Sequence, residues 1–401
     1  MGLRVLYPMF VLAHDNLLRS IRTKENSVPS LLPHIEPDGL LEYSVVYTDR
    51  AYNHMSPTFM GAMRDISAML KQVYGARSVV IVPGSGTFGM EAVARQFAAG
   101  KKCLVIRNGW FSFRWSQILD MGNIPAATTV LKARRVADAH QAAFAPPPLA
   151  EVIAAIHEQR PDLVFAPHVE TSSGMLLPDD YLKAIADATH AVGGMFVLDC
   201  IASGTIWVNM ATTGVDVLIS APQKGWSGSP CCGLVMMSEL ARSRIDATTS
   251  SSFACDLKKW LQIMEAYEGG GFAYHATMPT DSLISLRDTM REAEGHGFAA
   301  LKSAQQVLGD RVRALLIARG FKSVAAEGFQ APGVVVSYTD DMETHNGKKF
   351  AAKGLQIAPG VPLQCDEPTD FRTFRIGLFG LDKLLNVERT VKTLDEALNQ
   401  L

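Results

Sequence analysis

The sequence predicts an α/β protein: a mainly parallel, seven-stranded sheet flanked by helices, followed by a smaller C-terminal α/β domain. Strand-like apolar runs alternate with helix-like runs through the first two thirds of the chain, which is the pattern of a parallel sheet covered on both faces. Size agrees, because 401 residues at 48% hydrophobic content can fill more than one core, as expected beyond about 250–300 residues. The strand-like runs lie at 78–83, 102–106, 126–131, 162–167, 195–199, 215–220 and 233–237. The helix-like ones lie at 58–74, 87–99, 110–122, 149–159 and 179–192. The proline-rich segment 143–148 reads as a surface connection, and one long helical stretch, 280–308, leads into the smaller domain with strands at 334–338 and 371–376. The expected division is an N-terminal arm (1–55), a large domain (56–285) and a small domain (286–401), with no internal repeat.

Three local features carry chemistry. Ser220, Ala221, Pro222, Gln223, Lys224, Gly225 and Trp226 follow a strand too apolar to be exposed. A lysine just past such a strand is either a solvated turn residue or one that must pair, lose its proton or become an imine. Asp199 closes another apolar strand, where it either caps the next segment through Ser203 or Gly204 or pairs with a pyridinium nitrogen at the C-terminal sheet edge. Strand 79–83 runs into Gly84, Ser85, Gly86 and Thr87 and then a helix, presenting backbone N–H groups and a positive dipole end to an anion. The turn has neither GxGxxG spacing nor a GK[ST] ending, so a single phosphate monoester fits better than a dinucleotide.

A phosphate turn, a ring-nitrogen carboxylate and a Schiff-base lysine, in that order, are what a fold-type I pyridoxal 5'-phosphate (PLP) enzyme needs. The surrounding segments are Gly84 to Thr87, Asn108 to Arg114, His168 to Gly174, Asp199, Gln223-Lys224, Tyr274 to Thr277 and Phe374 to Gly377. Together they resemble the class V aminotransferases, the group of alanine–glyoxylate and serine–glyoxylate or serine–pyruvate aminotransferases, from about residue 58 to the C-terminus.

The resemblance implies a role for each matching residue. Lys224 would hold the PLP aldehyde, with Asp199 on the ring nitrogen, and these two form the catalytic pair. Phe111 would stack on the ring, unless it is a core aromatic opening the following helix. Thr171 would reach the phenolic oxygen or ring edge, and Ser85, Gly86, Thr87 and Gln223 would hold the phosphate. Tyr274 and Thr277 would reach the phosphate of a neighbouring subunit, making a homodimer the smallest active unit. Arg375 lies between apolar neighbours; its planar fork matches a substrate α-carboxylate, or else a structural carboxylate.

The implied reaction is ping-pong transfer of an amino group from an alanine- or serine-type donor to glyoxylate or pyruvate, with the Lys224 amine moving the proton between Cα and C4′. Two other enzyme readings share the lysine: 2-aminoethylphosphonate–pyruvate transamination, and cysteine desulfuration with Cys365 as nucleophile. A desulfurase pattern has histidine before the lysine, where this chain has Gln223. A non-catalytic PLP-binding regulator is disfavoured because Lys224 and Arg375 are both present and no DNA-binding module precedes them. The chain departs from the family at 40–50, where the usual Pro-Gly-Pro segment is missing, and at Trp226. Arg50, His54 and Arg114 are candidates for reading a second acidic group, or equally for structural roles.

A net charge of −2 favours neither nucleic acid nor an anionic membrane. The six cysteines, at 103, 200, 231, 232, 255 and 365, lack zinc-site spacing and read as reduced thiols, so no metal is expected. No apolar stretch reaches about 18 residues. Residues 5–13 are apolar but lead to no cleavage site, and the chain does not end in a peroxisomal address, so a cytoplasmic location is expected.

Overall fold

The computed structural model describes residues 40–400. Most of the expected N-terminal arm, residues 1–39, lies outside the described residues. Helix α1 (Pro57–Tyr74) starts where the Ser56 hydroxyl accepts from the Phe59 N–H and stops at Gly75, whose φ of 65° is left-handed. It is followed by β1 (Ser78–Pro83), α2 (Gly86–Phe97), β2 (Lys102–Arg107), α3 (Trp110–Met121), β3 (Ala127–Lys132), α4 (Leu149–Gln159), β4 (Leu163–Pro167), α5 (Asp179–Ala191), β5 (Met195–Asp199), β6 (Val217–Ser220) and β7 (Cys232–Met237).

These seven strands form one sheet in the order β1-β7-β6-β5-β4-β2-β3. Neighbours from β6 to β3 pair in parallel, while β7 runs antiparallel to both β1 and β6. Six strands therefore share one direction, and their C-terminal ends meet along a single edge, where ligands bind in open α/β sheets. The strands stay in place because both faces are covered. Val79, Val80, Leu104, Val105, Val164, Phe165, Val197, Leu198, Leu218 and Ile219 are fully buried, each worth about 1.5–3 kcal/mol of transfer free energy.

After β7 come α6 (Glu239–Ile245), α7 (Leu257–Glu268), α8 (Thr280–His296) and α9 (Phe298–Ala318). The single helix expected over 280–308 is two helices. Gly297 between them has φ 87° and ψ 121°, which ends one helix and starts the next. A second sheet, β8 (Val334–Tyr338), β9 (Ala358–Pro359) and β10 (Thr373–Gly377), has the order β8-β10-β9 and is antiparallel throughout. Helices α10 (Leu381–Leu385) and α11 (Val387–Leu398) pack on it around Leu308, Val312, Val335, Phe374 and Leu394.

Segment 143–148 is not the surface connection it was expected to be. Phe144 is buried among Ala133, Met175, Val324 and Val336, and the backbone of 144–145 pairs with 134–135, so tertiary packing overrides the proline signal. Pro147 O also accepts from the buried Tyr181 hydroxyl at 2.6 Å.

Candidate active site

The C-terminal edge of the sheet collects most of the expected residues. Beyond β1 the chain reverses through Gly84, at φ 122°, whose N–H donates to Cys231 O at 2.9 Å. Ser85 is the N-cap of α2, yet its hydroxyl makes no capping hydrogen bond, so among the described residues the first N–H groups of that helix lack a side-chain acceptor. Gly86 lies so close to Ile201 that a Cβ would come within 2.6 Å of its Cδ1. Thr87 Oγ1 accepts from Arg114 at 2.9 Å.

Beyond β2, α3 is held by a residue whose role the sequence does not reveal. The fully buried Glu170 accepts from the N–H of Phe111 (3.2 Å), from the N–H and hydroxyl of Ser112 (2.8 and 2.7 Å), and from the N–H and hydroxyl of Ser172 (3.1 and 2.7 Å). A carboxylate at a helix N-terminus meets both the orphan N–H groups and the dipole. Phe111 is thereby fixed, with the Arg114 and Arg375 guanidinium carbons 5.2 and 5.6 Å from its ring centroid. Thr171, next to Glu170, is buried. The signal that could have found Glu170 is an acid inside an otherwise apolar and hydroxyl-rich run; Ser172 is two residues on, but its partners Phe111 and Ser112 lie 59 and 58 residues away, where no local pattern reveals them.

Lys224 feels the charges of both Asp199 and Arg375. Burial pushes the Asp199 carboxyl up to about 7, with the Ile201 N–H, at 2.9 Å, opposing it; Glu170 raises it further, and Arg114 and Lys224 pull it back. Burial holds Lys224 below the ordinary lysine range, the Arg375 cation adds to that, and Asp199 works against it. Arg375 is lowered by burial and partly restored by Glu170; its Nε donates to Pro359 O at 2.8 Å. Among the described residues it has no ion-pair partner. Gln223 carries a buried Oε1 without a hydrogen-bond partner. The His168 N–H donates to Asp199 O at 2.8 Å, its Nδ1 lies 2.7 Å from Ser203 Oγ, and burial lowers its pKa to about 3, so it is neutral.

Other expected residues fall elsewhere. Tyr274 and Thr277 pair with each other at 3.1 Å, and the ring of Tyr274, 52% exposed, lies tilted 5.5 Å from that of His54. His54 is buried among Tyr47, Phe272 and Tyr274. Trp226 is a core residue, its ring 4.6 Å from that of Trp207. Cys365 is buried with Sγ 3.4 Å from Arg107 O, and burial, helped by Glu170 and Glu367, pushes its thiol up to about 12. That is the reverse of an activated nucleophile.

A lysine, a carboxyl and an arginine without an ion-pair partner among the described residues, at the C-terminal edge of such a sheet, suit an α/β enzyme of fold type I that works with PLP. The sequence model for Aminotransferase class-V matches residues 38–369, and the chain belongs to that family of PLP-dependent aminotransferases. The 2-aminoethylphosphonate–pyruvate transaminase of Syntrophobacter fumaroxidans is 26% identical over 361 residues, covering 88% of this chain and 90% of that protein. The transaminase of the same name from Pseudomonas aeruginosa is 28% identical over 347 residues, covering 83% and 86%. The crystal structure of an alanine–glyoxylate aminotransferase from Nostoc sp. shares the fold, with a TM-score of 0.73 at 20% identity over 87% of this chain and 89% of that one. Among the described residues, no helix is long and apolar enough to cross a membrane.

Proposed function

We propose that this protein moves an amino group from a small donor with one acidic group to pyruvate or glyoxylate, in ping-pong order, with Lys224 as its reactive amine. The observation that carries this reading is that the half-buried Lys224 feels the charges of both the buried Asp199 and the half-buried Arg375, while Arg375 lacks an ion-pair partner among the described residues.

When bound, PLP supplies an aldehyde that condenses with amines and a ring that takes up the electron pair left when Cα loses its proton. The residues present suit it. Among the described residues the start of α2 lacks a side-chain acceptor for its N–H groups, so Ser85, Gly86 and Thr87 would receive the phosphate, joined by Gln223, whose Oε1 has no partner. Asp199 would hold the protonated ring nitrogen; a cation there would draw its carboxyl back to the ionised form. Thr171 would meet the ring-edge oxygen, and Phe111, held by Glu170, would cover the ring face. Arg375 would anchor the donor's acidic group through its fork. Lys224, with its proton affinity reduced, is suited to take the proton from substrate Cα and return it at C4′.

Tyr274 and Thr277, on an exposed segment apart from Lys224, suit contact with the phosphate of a neighbouring subunit, so we read the active unit as a homodimer. The domain division near residue 285 is part of the same reading and is supported by two cores, one ending at Met290 and the other starting at Ala293. So is a cytoplasmic location, which six free thiols favour.

An alanine- or serine-type donor follows from one arginine reading one carboxylate. Donors with two acidic groups have less support, because Thr87 engages Arg114 and aromatic rings enclose His54. A second reading, with 2-aminoethylphosphonate as donor, is favoured by the curated relatives and keeps the single acidic group. Incubating PLP-loaded protein with each donor and following the absorbance distinguishes these readings. Conversion to the aminated cofactor, reversed by pyruvate or glyoxylate, names the donor. Discharge by cysteine alone, with sulfide release, would overturn transamination.

A further inference from the structure

Phe379 lies in the segment joining β10 to α10, where nothing in the local sequence distinguishes it from an ordinary core aromatic. Its ring centroid is 4.9 Å from Lys224 Nζ. The ring occupies a slot between glycines: a Cβ at Gly204 would come within 3.4 Å of it and one at Gly333 within 3.0 Å. The backbone on either side is tied down. Leu378 N–H donates to Gly333 O at 2.9 Å, and Gln305 Nε2 donates to Leu378 O at 3.2 Å. Leu381 N–H donates at 2.9 Å to the hydroxyl of Ser227, three residues beyond the lysine. The ring is thus held in register with the lysine loop from two directions.

We propose that Phe379 is a positioning residue for Lys224, its ring face holding the amine whenever that amine is protonated and free of the cofactor. This rests on the reading of Lys224 as the reactive amine. A lysine that relays a proton must exist for a time as an ammonium, and both burial and Arg375 oppose that form here. The charged groups facing it are Asp199 from the end of β5 and Arg375 from β10; Asp199 is also the carboxyl assigned to the ring nitrogen. An aromatic face attracts the cation through its quadrupole without accepting the proton or locking the lysine in its charged form, as an adjacent carboxylate would. In the relay the proton leaves substrate Cα, its bonding pair staying behind, bonds to the Nζ lone pair, and later departs to C4′. Lysine is neither oxidised nor reduced.

The test compares wild type, Phe379→Leu and Phe379→Tyr as apoproteins, measuring reductive methylation of Lys224 against pH by peptide mass spectrometry. In the leucine variant the midpoint is expected to fall by roughly 0.4 to 1.5 pH units, the range for losing one cation–π contact, while the tyrosine variant retains the wild-type profile. In the PLP-loaded leucine variant the isotope effect with a Cα-deuterated donor should rise, because proton transfer becomes slower relative to binding. Coincident profiles for wild type and Phe379→Leu would overturn the proposal. Should Phe379→Leu lose its native circular dichroism, Phe379→Met gives the same comparison with a similar volume. Failure of the underlying reading has a separate signature: borohydride reduction of the wild-type protein with PLP would leave no pyridoxyl mark on Lys224.

Discussion

Two buried carboxyl groups stand at the same edge of the sheet in opposite circumstances. Glu170, just beyond β4, accepts five hydrogen bonds from Phe111, Ser112 and Ser172. Among the described residues Asp199, the last residue of β5, receives a single N–H, from Ile201, and is pushed by burial up to about 7. Burial is common to both, so burial alone does not identify a functional group. What separates them is unmet demand: Glu170 is saturated by its own protein, whereas Asp199 is held in a high-energy setting that a cation would relieve. The same contrast divides the arginines. Arg319 pairs with Asp395, whereas Arg375 has no ion-pair partner among the described residues.

Substitution should separate the two carboxyls by what each loses. Asp199→Asn keeps the shape and removes the charge; turnover should fall about 10²- to 10³-fold, in line with losing one preorganised electrostatic partner, with the apoprotein no less stable than wild type. Glu170→Gln should do the reverse. Its amide turns a donor toward donors and leaves buried groups unmet, so denaturant unfolding should show a loss of about 2–4 kcal/mol, with activity below the transition less affected. If Glu170→Gln were as stable as wild type and as inactive as Asp199→Asn, the distinction between the two groups would collapse.

A pH experiment refines the contrast. The folded apoprotein holds a proton on Asp199 up to about pH 7, whereas the unfolded chain releases it near the ordinary aspartate value. The folded state binds more protons between these limits, so wild-type apoprotein should lose stability relative to Asp199→Asn as pH rises from about 4 to 7, and no further above that. Thermal melts of both apoproteins across this range check the sign. The smallest effect belongs to Cys365→Ser. A sealed thiol pushed up to about 12 takes no part in transamination, and activity should stay within about twofold. A large loss, with sulfide-releasing activity in the wild type, would reopen the desulfurase reading.

The large sheet could be read from sequence because its strands are continuous runs of Val, Ile and Leu, and the seven expected segments match β1 to β7 closely. Lys224, Asp199 and the turn at Gly84 could be read for the same reason, since each closes or follows such a run. The break at Gly297 was missed because neither Gly295 nor Gly297 shows its φ in a helical pattern. Helix α7, which buries Leu257, Trp260 and Leu261, was not anticipated either. Glu170 and Phe379 were beyond local reading for a deeper reason. Their meaning lies in α3 and in the lysine loop, which only the tertiary fold brings to them.

The assignment of Lys224 as the reactive amine can be tested directly by adding PLP to the purified protein, reducing with borohydride and mapping the modified peptide by mass spectrometry. A phosphopyridoxyl group on Lys224 alone, absent from Lys224→Ala, is the expected result. A group on a different lysine, or none on any, would contradict the assignment and the function built on it.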